Sequence, residues 1–217
     1  MGRLLLFLLS ALSASSALSA QSQSVASILA DAEKAYHAST SFRAEFTQTI
    51  ENPFLGKPEV SRGVMFLNPP DRFAMRFAQP KGDRVVADGT WMWLFTPSTV
   101  SDQVIRQPIP RGGAQTPNFF AQFVDRPLDR YRATLVGSDT VAGTAVHVVK
   151  LVPRYEQPFR DAVIAIGKTD HLLRRVALVE ESGQKRLIVL TSVEAGVLIP
   201  DEEFRFRPPN GVKVVTP

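Results

Sequence analysis

The chain has 217 residues, 44% hydrophobic and 21% charged, and its 25 lysines and arginines against 21 acids leave a net charge of +4. That length is enough for one domain with a sizeable core. The lack of cysteine excludes disulfides, thiol chemistry and a lipid-modified N-terminal cysteine, and basic residues interleaved with acids exclude a nucleic-acid arm.

The first twenty residues, MGRLLLFLLSALSASSALSA, place Arg3 before an apolar run that ends near Leu12, followed by small residues up to Ala20. This pattern predicts a cleaved secretory signal peptide over 1–20 and a mature domain over 21–217. The apolar run falls short of the roughly 20 residues of a spanning helix. Export without an anchor implies the periplasm of a bacterium with two membranes.

Next, VASILADAEKAY sets Val25, Ile28, Leu29, Ala32 and Tyr36 at helical spacing behind Ser24, a suitable N-cap. The remainder is dominated by strand patterns. Phe42, Ala44, Phe46 and Ile50 alternate with polar residues, and VSRGVMF and RFAMRF flank the turn LNPPD. DRVVA and TWMWLF are joined by Asp88-Gly89, a hairpin signal. SDQVIRQP, YRATLVG, TAVHVVKLV, DAVIAIG, LLRRVALVEE, QKRLIVLTSV and FRFRPP continue the series, divided by the turn clusters SDTVAG, KTDH and ESGQ. One segment departs from this rhythm: after PRGGAQ, Thr116 as N-cap and Pro117 at the first helical position predict a short helix bearing Phe119, Phe120, Phe123 and Val124. The expected architecture is mainly β (α+β), with one large curled antiparallel sheet. An N-terminal helix and short lid helices pack against its concave side.

Catalytic constellations are sparse. His37, His147 and His171 are far apart and read as structural, so no metal is expected. Glu180-Glu181 and Asp201, Glu202 and Glu203 read as solvated turns, leaving a hydrolase built on dispersed carboxylates as the rival from another class. The excess is apolar: Phe42, Phe46, Phe73, Phe77, Trp91, Trp93 and Phe95 fall on neighbouring strands. They fit an ordinary aromatic core or the wall of a cavity for something greasy, and periodicity does not decide between the two.

The order SFRAEFTQTI, Gly63 with VMFLNPPDRFAMRF, QPKGDRVVADGTWMWLFTP and a closing EEFRFRPPNGVKVV resembles the periplasmic outer-membrane lipoprotein carrier family, LolA type. The resemblance implies a half-open, incomplete β-barrel whose apolar inner surface takes up the acyl chains of lipoproteins, without catalysis or cofactor. Its implied partners are acylated lipoproteins, an inner-membrane ABC-type exporter and an outer-membrane receptor. No nucleic-acid partner is expected, and the expected state is a monomer. On this reading Phe46, Phe73, Met75, Trp91, Trp93 and Phe95 are the cavity candidates, and Phe119, Phe120 and Phe123 belong to the lid. Where the family's turn carries a lid-holding arginine this chain has Pro69, so Arg72 and Arg76 are the nearby substitutes, and together with Phe73 they are the rim or docking candidates. The alternative within binding proteins is a related domain that serves glycolipid transfer or envelope-stress sensing.

Overall fold

A computed structural model describes residues 23–54, 56–109 and 118–217, so the predicted leader and the expected Thr116–Pro117 helix start lie outside the described residues. Helix α1 (Val25–His37) opens where the sequence places it, with the Ser24 hydroxyl accepting from the Ser27 amide at 3.1 Å. It buries Ile28, Leu29 and Ala32, one stripe of an otherwise polar helix.

Among the described residues, twelve strands then form one sheet. In chain order they are β1 (Phe42–Glu51), β2 (Glu59–Asn68), β3 (Arg72–Gln79), β4 (Arg84–Asp88), β5 (Trp91–Phe95), β6 (Gln103–Pro108), β7 (Tyr131–Val141), β8 (Thr144–Pro153), β9 (Phe159–Gly167), β10 (Leu173–Glu180), β11 (Lys185–Ala195) and β12 (Lys213–Val215). Their spatial order is β12-β6-β5-β4-β3-β2-β1-β11-β10-β9-β8-β7, with β12 and β7 as the two edges. The sheet is large, curled and unclosed. Its strands pair antiparallel, apart from β12, which runs parallel to β6. Thus β1, the first strand, and β11, nearly the last, meet in the middle, joining two meanders into one surface.

The hairpin between β4 and β5 forms one residue later than predicted. Ala87 pairs with Met92, so Gly89 and Thr90 occupy the loop, with Gly89 taking the positive φ of 95°. Asp88 ends β4 and accepts from the amides of Thr90 and Trp91, each at 2.8 Å. A second departure concerns SDTVAG: β7 runs through Val141, and the turn is confined to Ala142-Gly143. The third is FRFRPP. Pro208 and Pro209 have no amide to offer a ladder, so strand structure waits until β12. Upstream, Asp201–Phe204 forms a short 3-10 helix that buries Phe204.

Alternation along the strands sorts the apolar residues onto two faces. Phe42, Ala44 and Phe46 of β1, Met65 and Leu67 of β2, and Phe73 and Met75 of β3 share a core with α1 and with Phe120, Phe123 and Val124. On the other face, Phe66, Ala74, Val86, Trp93, Phe95 and Val104 pack with Phe204 and partly buried Phe206. The first face is roofed by α1 and the Phe-rich segment, the second by the C-terminal segment.

Candidate functional site

The roof of the first face is built from short pieces. Asn118 opens the described part: its Oδ1 accepts from the amides of Phe120 (3.1 Å) and Ala121 (3.3 Å) ahead of a 3-10 turn over Ala121–Phe123. The left-handed Arg126 (φ 49°) then turns the chain into α2 (Pro127–Arg130), which has Pro127 at its first turn. So Arg126-Pro127 begins a second short helix. Phe119 packs edge-on against Phe120 and Phe123, and Phe123 lies near Tyr131 and Phe159, tying the segment to β7 and β9.

Between this roof, α1 and the sheet lies a cavity of about 50 Å³. It has room for a few water molecules at most. Its walls are Phe42 and Ala44 of β1, Met65 and Leu67 of β2, Leu173 of β10, and Leu190 and Val193 of β11; Ala32, Tyr36, Phe120 and Val124 close it from above, and His171 and Leu172 stand at one end. Among these lining residues only Tyr36 and His171 carry side-chain nitrogen or oxygen. The Tyr36 hydroxyl accepts from the Asn118 amide nitrogen at 3.3 Å, and burial pushes its pKa up to about 12, so it stays neutral. Near His171, burial and the charges of Lys168 and His171 hold His147 below its ordinary value.

Three of the six cavity candidates are on this side. Phe46, Phe73 and Met75 belong to the core beneath the roof, although the present cavity is lined by their neighbours. The tryptophan strand faces the other way. Trp93 pairs with Arg106 and Val86, Val86 pairs with Ala74, and the inward apolar residues of that row belong to the second core. Trp93 donates from Nε1 to Asp88 Oδ2 at 2.9 Å and leans on Phe206; Phe95 also meets Phe206, and Trp91 stacks under the Arg106 guanidinium at 4.2 Å. These three residues therefore lie on the side of the C-terminal segment, with Met92 and Leu94 on the opposite face of the strand, where Leu94 is exposed.

The rim candidates also take other places. Phe73 is 2% exposed and meets Phe120 at 6.2 Å, so its ring is interior to the fold. Arg72 pairs with Asp201 at 2.8 Å and Arg76 with Glu203 at 3.2 Å, both in the C-terminal segment, and each guanidinium lies over an aromatic ring. Neither replaces a lid-holding arginine. Those contacts also occupy two of the three acids of the 201–203 cluster, while Glu180 pairs with Arg186 and Glu181 with Arg160. Of the lid candidates, Phe120 lines the cavity, Phe123 is fully buried and Phe119 is partly buried. One group escaped the sequence reading: Glu33 and His37, one turn apart on α1, converge with Asp125 of the roof, their ligating atoms lying within 4.8 Å.

An apolar, partly open space under a roof of short helical pieces suits an apolar ligand better than a polar substrate. The family model for "Outer membrane lipoprotein carrier protein LolA" matches residues 37–207. The chain belongs to the LolA family. Relatives named outer-membrane lipoprotein carrier protein include one from Methylibium petroleiphilum, 25% identical over 173 residues (80% of this chain, 81% of the relative). Another, from Alkalilimnicola ehrlichii, is 28% identical over 197 residues, covering 86% and 82%. Among solved structures, an uncharacterized conserved protein of Thermus thermophilus aligns over 90% of this chain and 100% of its own with a TM-score of 0.57 at 17% identity. A chain of the Pseudomonas aeruginosa MucA/MucB complex aligns over 88% of this chain and 62% of its own, with a TM-score of 0.51 at 16% identity. Those two structures speak to the fold, and the LolA relatives to a lipid- or lipoprotein-binding role for LolA-type chains.

Proposed function

We propose that this protein is an exported periplasmic carrier whose leader, residues 1–20, is removed and whose roofed face takes up the acyl chains of lipoproteins. It receives them from an ABC-type exporter of the inner membrane and yields them to a receptor at the outer membrane, without catalysis of its own. The observation that carries this reading is the cavity: apolar along its walls, roofed by α1 and the Phe120–Val124 segment, and polar only at Tyr36 and His171. Each methylene moved from water into such a site gains about 0.8 kcal/mol, so acylated cargo needs a greasy host to cross an aqueous space. At about 50 Å³ the described state is the closed one, and uptake requires the roof to rise from the sheet. Among the described residues, no helix is long and apolar enough to cross a membrane.

The test adds mature chain, residues 21–217, to vesicles holding a cognate exporter and a triacylated lipoprotein, with ATP. Native mass spectrometry is expected to show a soluble one-to-one complex that depends on both ATP and the acyl chains. No complex, with free lipid still co-purifying, would replace this reading with glycolipid transfer or envelope-stress sensing.

A further inference from the structure

The roof has to stay down when empty and rise when cargo arrives, so something must hold it. Arg72 and Arg76 are turned to the C-terminal segment by Asp201 and Glu203, on the other side of the sheet from the cavity. The two ends of the roof segment are instead joined to α1. At one end Asn118 Nδ2 donates to the Tyr36 hydroxyl at 3.3 Å; at the other, His37 Nε2 meets Asp125 Oδ1 at 3.1 Å. Tyr36 and His37 are consecutive residues in the last turn of α1, and Asn118 and Asp125 bracket the pieces that carry Phe120 and Val124 over the cavity.

We propose that the Tyr36-His37 pair is the clasp of the lid: the end of α1 grips residues 118–125 at both ends, and releasing that grip opens the acyl-chain site. This inference rests on the carrier reading for what enters the site, but not for the clasp itself. The geometry suits the task. The His37 side chain is 56% exposed and that of Asp125 26%, so their pair is reached by water and contributes modestly. A weak, solvent-reached contact can break on the timescale of lid motion, whereas a buried one would lock the roof. Glu33, one turn earlier on α1, brings a second carboxylate to within 4.8 Å of these atoms. Tyr36 also anchors α1 to the sheet, its ring stacked on Phe42 at 5.7 Å, so the clasp has a fixed side and a moving side. Between its ends the moving side rests on the ring contacts of Phe119, Phe120 and Phe123 and on a longer bond from the Tyr131 hydroxyl to Gln122 Oε1 at 3.4 Å. Such an apolar underside fits a lid that must exchange one greasy partner for another.

The experiment compares the wild-type mature chain with Tyr36→Phe/Asp125→Ala, which keeps the ring on Phe42, and with Arg72→Ala as control. Hydrogen exchange at the amides of Ala121, Phe123, Val124 and Asp125, all bonded within the segment, reads lid opening without any ligand. The double variant is expected to exchange about fivefold faster at these amides, the scale set by one exposed side-chain contact and one hydrogen bond, with β1 and β11 unchanged. Uptake of a fluorescent fatty acid should accelerate in parallel, and Arg72→Ala should match wild type in both. Unchanged exchange at 121–125, an equal rise in the strands, or the same acceleration in Arg72→Ala would overturn the clasp. Wild type that takes up no fatty acid would instead count against the carrier reading, and the exchange data would still decide the clasp.

Discussion

Gly63 shows how tightly single residues are held where the sheet curls. It stands at a register shift between β2 and β3, where a Cβ would lie 2.0 Å from the Arg76 carbonyl oxygen and 2.9 Å from the Phe46 ring. Neither neighbour yields easily: one is backbone, and the other is wedged edge-on against Phe77 at 5.1 Å. Gly63→Ala is therefore expected to cost about 3 kcal/mol or more, the upper end of overpacking, and to be visible as a lowered urea midpoint with an unchanged slope. A midpoint within error of wild type would mean that β2 and β3 can separate locally at no cost. The same residue explains why a glycine belongs in the motif: the space is missing, and no unusual φ is involved.

At the scale of the element, the question is which face of a strand meets the ligand. Val193 lines the cavity and is only half-buried, so a larger ring there fills the space from its edge. Val193→Trp is expected to weaken fatty-acid binding about tenfold, equivalent to about 1.4 kcal/mol, while Trp93→Leu leaves affinity near wild type and lowers stability instead. Trp93 would lose its bond to Asp88 and its contact with Phe206, both on the other face. Equal loss of binding in the two variants would show that the acyl chains use the tryptophan face.

That distinction marks where the sequence stops being legible. Alternation in Phe42, Ala44 and Phe46 and the Ser24 cap before α1 are period and capping signals, and both are realised. The side of Trp93 is not encoded by its own strand, because WMWLF is apolar on both faces and only pairing with β4 assigns them. Leu190 and Val193 escaped for a related reason. LIVLTSV is nearly continuously apolar, and Ser192, at φ 49°, accompanies a register shift between β11 and β1, so a strict period of two puts Val193 on the wrong face. The His37–Asp125 contact spans 88 residues, beyond any local spacing rule.

Across the whole molecule, the sheet carries two roofs with different duties. One must move; the other, residues 196–217, has to stay, because it shields Phe66, Val86, Trp93, Phe95 and Val104 from water. Phe204 is its anchor at 2% exposure, and Arg72–Asp201 and Arg76–Glu203 tie it to β3. Phe204→Ala is expected to cost about 3–5 kcal/mol, the range for emptying a buried aromatic site. Well below its lowered Tm, however, the variant should still bind fatty acid with near wild-type affinity, since Phe204 and the cavity are on opposite faces of the sheet. The decisive comparison is a binding isotherm at a temperature where circular dichroism shows the variant folded. Retained affinity would mean that the fixed roof contributes stability while the moving one governs uptake. Lost affinity in a folded variant would mean that strain passes through the sheet from one face to the other, making the C-terminal segment part of the lid mechanism.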